Sequence, residues 1–153
     1  MKVCGVQFEY RPQLDTDPSA RTQGAALFPI MHFDAGGEFI AAAFFPDDPP
    51  DRRMVLIDPS FFSADGFDKV GVLRHELGHV LGFRHEHIRS GAPPGCPGEP
   101  LFGTIDLTQY DPRSVMHYFC GGVGSRELAI TELDQQGAQR LYGLALSSFQ
   151  FVE

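Results

Sequence analysis

The residues of this 153-residue chain best suited to chemistry lie in one run: His75-Glu76-Leu77-Gly78-His79-Val80-Leu81-Gly82-Phe83-Arg84-His85. His75 and His79 are four positions apart, so on a helix their side chains share one face, one turn apart. Two imidazoles at that spacing can reach a single Zn²⁺ at about 2.0–2.1 Å. Gly82 follows His79 by three. A glycine there can take a left-handed conformation and swing the chain, returning His85 as a third ligand from outside the helix. Three protein ligands leave one coordination position for water, which is the requirement of a catalytic zinc. Glu76, beside the first ligand, can reach that water and take its proton. A closed structural zinc site is the plainer alternative, but it needs a fourth strong ligand and leaves Glu76 without a task.

Those side chains need a helix, and the pattern supplies one. Val72, Leu73, Leu77, Val80 and Leu81 recur at helical spacing, Asp68 is placed to cap the start, and Gly82 suits the stop. Upstream, Val6 to Tyr10 alternates apolar and polar and predicts a strand. Residues 13–24 read as a polar loop. Further strands are predicted at Leu27 to Phe33, interrupted by Pro29, at Phe39 to Phe45, and at Met54 to Ile57. Gly36-Gly37 turns the chain, and residues 47–51 form a surface loop. Downstream, residues 89–106 are rich in proline and glycine and predict an irregular loop. Thr131-Glu132-Leu133-Asp134 has the form of a capping box. It opens a second helix, with Leu133, Ala138 and Leu141 inward and Gly143 at its end. Strands, a helix, loops and a helix make an α+β fold with a small mixed or antiparallel sheet, and residues 1–153 read as a single domain.

Composition narrows the partners. Twenty acidic residues against twelve basic give a formal charge of −8, so a nucleic-acid partner is not expected. Hydrophobic residues at 42% and charged residues at 21% are ordinary for a globular chain. No apolar run approaches the roughly 18 residues of a membrane helix. Met1 to Gly5 lacks the apolar stretch of a signal peptide; either the protein stays inside, or the chain has lost a targeting segment. Cys4, Cys96 and Cys120 allow one bridge and one thiol, or three thiols.

The histidine run resembles the metzincin signature H-E-x-x-H-x-x-G-x-x-H, which is followed by a methionine-containing turn. Ser114-Val115-Met116-His117-Tyr118 matches that turn, and the resemblance puts Met116 beneath the zinc. Within the clan the chain is most similar to astacins, through His85-Glu86-His87, Arg89 and the Ser-x-Met-His-Tyr turn. The resemblance implies that Tyr118 is an extra zinc ligand at rest and then stabilises the reacting carbonyl oxygen. A phenol near zinc can donate to a developing oxyanion, where one hydrogen bond is worth most; the plain alternative is a buried tyrosine with its hydroxyl satisfied. Gly37 to Pro46 resembles the strand above the metzincin cleft, closest to matrixins, which can pair with an extended peptide. Thr131 to Gly143 resembles the closing C-terminal helix. The implied fold is a metzincin-like zincin with an irregular lower subdomain. The implied activity is zinc-dependent hydrolysis of internal peptide bonds by a monomer.

The chain departs from the astacin pattern after Arg89, at Ser90-Gly91-Ala92-Pro93. It is also short before the cleft strand, so the family's first strand and first helix are expected to be missing or curtailed. In astacins the glutamate after the third histidine anchors the mature N-terminus. Glu86 matches it, with pairing to Arg89 as the alternative. A Cys96–Cys120 bridge would pin the proline-rich loop beside the cleft and favour an exported, secreted or periplasmic protein over a cytoplasmic one. His32 and His117 read as structural, and Cys4 as unrelated to zinc. Two other activities stay open: a zinc-bearing peptide-binding module without turnover, and a zinc amidase acting on a small or cell-wall substrate.

Overall fold

The computed structural model describes residues 3–15, 26–63 and 65–146. Most of the polar loop expected at 13–24 therefore lies outside the described residues. Three short strands form one mixed sheet: β1 (Ile30–His32), β2 (Ala41–Ala43) and β3 (Val55–Ile57). β3 is central. β1 runs parallel to it with Met31 opposite Leu56, and β2 runs antiparallel with Ala42 opposite Leu56. β2 is thus an edge strand. Each strand is shorter than its apolar run, for local reasons. Pro29 has no N–H to donate and precedes β1, though its carbonyl still takes the Val55 N–H at 3.0 Å. Past β2, the Phe45 N–H turns to the Asp48 carboxylate at 2.7 Å.

The strand expected at Val6 to Tyr10 does not form. Alternation of residue types does not supply a partner, and the residues just before this segment are tied elsewhere. The Gly5 N–H donates to the Gly143 carbonyl at 3.0 Å, and the Gln139 side chain donates to the Val3 carbonyl at 2.9 Å. Phe8 packs edge-on against Phe28, with ring centroids 6.0 Å apart. The N-terminal segment is therefore tied to the C-terminal helix.

Three α-helices follow the sheet: a single turn, α1 (Ser60–Ser63), then α2 (Lys69–Val80) and α3 (Glu132–Tyr142). Asp68 caps α2 as expected, accepting the Gly71 N–H at 2.6 Å. The buried residues of α2 include Val72, His75, Glu76 and His79, a stripe at i, i+3, i+4 and i+7. Its inner face thus begins on an apolar residue and continues with the chemistry-bearing ones. α2 packs on β2. The core gathers Val55, Ile57, Phe61, Val72, Val115, Met116 and Leu128. Full burial of such side chains contributes about 1.5–3 kcal/mol each for the larger ones.

α3 begins with the capping box read from the sequence, in which Thr131 and Asp134 exchange side-chain and backbone hydrogen bonds. Its inner face is narrower than expected. Gly137 and Ala138 are buried, but Leu141 is 49% exposed. Together these elements are a small α+β arrangement: a three-stranded mixed sheet over α2, then long irregular segments closed by α3.

Candidate metal centre

The turn at the end of α2 brings the third histidine back. Gly82 has φ +88°, the left-handed region in which an L side chain is strained. Around it the Phe83 N–H reaches the Gly78 carbonyl at 3.0 Å and the Gly82 N–H reaches His79 at 2.8 Å. That pair of bonds is a Schellman motif. The same turn aims the Phe83 carbonyl at Nδ1 of His79, 2.8 Å away, and sends His85 towards the helix.

Each imidazole is held from behind. Nδ1 of His75 lies 2.8 Å from the Val115 carbonyl, Nδ1 of His79 2.8 Å from the Phe83 carbonyl, and Nδ1 of His85 2.6 Å from the Glu99 carboxylate. A carbonyl or an ionised carboxylate can only accept, so each Nδ1 carries the proton and donates it. All three Nε2 atoms are then bare lone pairs, and they converge. Nε2 of His79 is 3.2 Å from that of His75 and 3.1 Å from that of His85. Bare nitrogens facing one another repel unless a cation sits among them. Tetrahedral ligands about 2.0–2.1 Å from zinc lie about 3.3 Å apart, close to what is seen. Burial, followed by repulsion from the neighbouring histidines, pushes His79 and His85 down to about 3, and burial pushes His75 down. Neutral imidazole is the ligating form. Donor type, tautomer and spacing all fit zinc, and these three residues form a group able to hold a metal ion.

Glu76 is 6% exposed, and burial pushes its carboxyl up to about 7. Phe45, just past β2, sets its ring edge against His79 at 5.1 Å, so the end of the edge strand meets the histidine cluster. Tyr118 packs on the cluster's other side. Its ring centroid is 4.2 Å from His85, 4.4 Å from His87 and 5.7 Å from His75. Burial, then the charges of Glu99 and Glu76, push its hydroxyl up to about 12.

Met116 is buried against α2 at Gly78, where a Cβ would come within 2.4 Å of its sulfur. The turn that carries it is anchored from α3. Asp134 accepts the Ser114 hydroxyl at 2.6 Å and the Val115 N–H at 2.8 Å. Since the Val115 carbonyl orients His75, the capping residue of α3 supports a histidine of α2.

Glu86 pairs with this chain's own groups. It accepts Arg89 at 2.7 Å and the Asp111 N–H at 2.8 Å, the alternative weighed from the sequence. His117 is fully buried and structural, bonded to Tyr110 at 2.8 Å and to the Tyr118 carbonyl at 2.6 Å. Cys96 and Cys120 are bridged, and Cys4 is a buried free thiol. Glu99 and the ring of His87 also lie against the cluster, although the sequence pattern assigned His87 no role there and did not mark Glu99. His87 had a signal, its place next to the histidine run; Glu99 had none.

Among curated proteins the chain is similar to two zinc metalloproteinases of Caenorhabditis elegans. It is 33% identical to nas-2 over 82 residues, covering 48% of this chain and 27% of that protein. It is 35% identical to nas-3 over 86 residues, covering 50% and 28%. It is also 33% identical to mouse pappalysin-1 over 75 residues, covering 46% of this chain and 4% of that protein. The chain thus spans little more than a quarter of the nematode relatives and a small fraction of the mouse one. No family model and no solved structure matches. The similarity to zinc metalloproteinases agrees with the resemblance carried by the histidine run and the Met116 turn, and with zinc as the metal.

Proposed function

We propose that residues 1–153 form a single metzincin-type catalytic domain that hydrolyses internal peptide bonds of extended polypeptides. The observation that carries this reading is the convergence of three bare Nε2 atoms, with the buried Glu76 next to His75 on the same helix. His75, His79 and His85 would hold the zinc, and Tyr118 would be a further ligand at rest. Bound zinc supplies a Lewis acid that lowers the pKa of water and polarises the substrate carbonyl. Glu76 takes the proton of the attacking water and passes it to the leaving amine. Tyr118, when off the metal, donates its hydroxyl proton to the oxyanion that develops on the carbonyl. β2, with one edge unpaired in the sheet among the described residues, takes the extended substrate as an added strand. The bridged cysteines support an oxidising, extracellular or periplasmic location. No helix among the described residues is long and apolar enough to cross a membrane.

Zinc analysis combined with casein digestion tests this reading. The protein should carry one zinc per chain and cleave casein. Glu76→Ala should keep the zinc and the fold yet lose about 10²-fold or more in hydrolysis, since the base goes and the ligands stay. A mutant retaining more than about a tenth of the activity removes Glu76 as base. Zinc without turnover in the wild type would leave a peptide-binding module.

A further inference from the structure

Glu99 sits in the irregular loop that follows the histidine run, three residues after Cys96, and the Cys96–Cys120 bridge ties that loop to the chain two residues past Tyr118. Its Oε1 accepts the Nδ1–H of His85 at 2.6 Å and lies 3.8 Å from Nε2 of His87. The His87 side chain is completely buried. Its Nδ1 accepts the Tyr118 N–H at 3.4 Å, which leaves the imidazole proton on Nε2. That N–H has no hydrogen-bond partner within reach, and it faces the Glu99 carboxylate. The other face of the relationship is Tyr118, whose ring stacks on His87 at 4.4 Å with planes 24° apart.

We infer that Glu99 is a positioning residue of this centre: one carboxylate orients His85 through Nδ1 and steadies His87, the ring on which Tyr118 rests. The inference rests on the metal-centre reading above. A carboxylate behind a ligating histidine fixes its tautomer and ring orientation and raises its basicity. Here the same carboxylate also reaches towards the residue that bonds the Tyr118 backbone and stacks on its ring. The two halves of the site, a proposed ligand and a proposed oxyanion donor, therefore share one support. His85, His87 and Glu99 also form a group of donor atoms able to surround a second cation. That occupant is disfavoured. It needs Nδ1 of His85 bare while Nε2 faces the first site, and Nε2 of His87 bare while Nδ1 already accepts the Tyr118 N–H.

The test compares wild type, Glu99→Gln and the exposed control Glu38→Gln, each as the full chain. Zinc affinity is read by competition with a chromogenic chelator. Glu99→Gln should bind zinc about 10–100-fold more weakly, with Glu38→Gln unchanged. The visible absorption of the cobalt-substituted protein should shift in Glu99→Gln only, because a merely structural surface residue would not alter the ligand field. A third measurement needs no variant. Nitrogen-15 histidine spectra of the zinc-loaded wild type should place the proton on Nδ1 of His85 and on Nε2 of His87. Wild-type zinc affinity and an unshifted cobalt spectrum in Glu99→Gln would overturn the inference, as would a His87 protonated on Nδ1. Two zinc ions per wild-type chain, falling to one in Glu99→Gln, would replace it with the second-cation site. A wild type that binds no zinc would sink the metal-centre reading itself, a different result from any of these.

Discussion

The groups behind the imidazoles leave their inner nitrogens free to take a metal. A histidine pair at i, i+4 is a spacing, and spacing leaves the tautomer undetermined. Two backbone carbonyls and the Glu99 carboxylate decide it by accepting from Nδ1, so that the lone pairs point inward. Tyr118 is where the proposed chemistry is most exposed to test. Tyr118→Phe keeps the ring that packs on His85 and His87 and removes only the hydroxyl. If that hydroxyl serves the transition state, kcat and kcat/KM should fall together by roughly 10²–10³, with KM nearly unchanged and zinc retained. Steady-state kinetics beside a melting curve separates this from a packing role, which would lower the melting temperature and leave kcat per folded molecule intact.

α2 does two tasks that pull in different directions. It must be a stable helix, and it must let Met116 approach its backbone closely. Gly78 resolves this in favour of the approach. Replacing glycine by alanine inside a helix ordinarily gains about 0.8–1 kcal/mol. At Gly78 the new Cβ would lie 2.4 Å from the Met116 sulfur, which is itself buried and cannot swing into solvent. Overpacking of that kind costs about 1–3 kcal/mol. Gly78→Ala should therefore lower stability on balance, despite its better helix propensity, and should weaken zinc binding by moving the turn that holds Val115 against His75. Thermal melts of the zinc-loaded protein and chelator competition check the two parts. A more stable variant with unaltered zinc affinity would mean that Met116 has room to yield.

At the scale of the whole molecule, long irregular segments have to be held without a ladder. The disulfide is one such tie, joining positions 24 apart. Thiol titration under denaturing, non-reducing conditions should find one free cysteine, Cys4. Reduction should cost about 3.5 kcal/mol on a chain-entropy basis and loosen the loop that carries Glu99. Three free thiols in protein made in an oxidising compartment would refute the bridge. Asp58 is a second tie, 1% exposed. It accepts the N–H groups of Ala35 at 2.8 Å, Gly37 at 3.4 Å and Ser60 at 2.8 Å, joining the β1–β2 turn to α1. The Ser60 hydroxyl beside it, which itself stays short of hydrogen-bond geometry, and the Ser60 amide, followed by Ala35 and Gly37, hold Asp58 down to about 2. A carboxylate lowered on folding stabilises the fold above its unfolded value of about 4, and that contribution fades as pH drops towards about 2. Asp58→Asn turns one of the two accepting oxygens into an NH2 donor facing those N–H groups. Its melting temperature should lie below wild type by a constant gap at neutral pH, and the gap should narrow between about pH 4 and pH 2. A gap that does not change with pH would mean the carboxylate charge is not what matters.

The local rules were legible in the chain. Asp68 and Thr131 start helices because a short oxygen-bearing side chain meets otherwise unpaired N–H groups, and Gly82 ends one because only glycine takes φ +88° without strain. A histidine spacing of four can be read the same way, since helix geometry alone puts both rings on one face. Strands were harder. Val6 to Tyr10 alternates as well as a strand does, yet pairing is a property of two segments, and the residues just before it, Val3 and Gly5, are bonded to α3 and its cap. Leu141 fits the helical period, but how much of a face is covered depends on what lies opposite. Glu99 shows the limit most sharply. One glutamate in a proline-rich loop carries no pattern, and its meaning comes from a carboxylate 2.6 Å from His85, fourteen positions away. Local structure follows from neighbours along the chain, whereas this support exists only once the folded loop brings the two groups within hydrogen-bond reach.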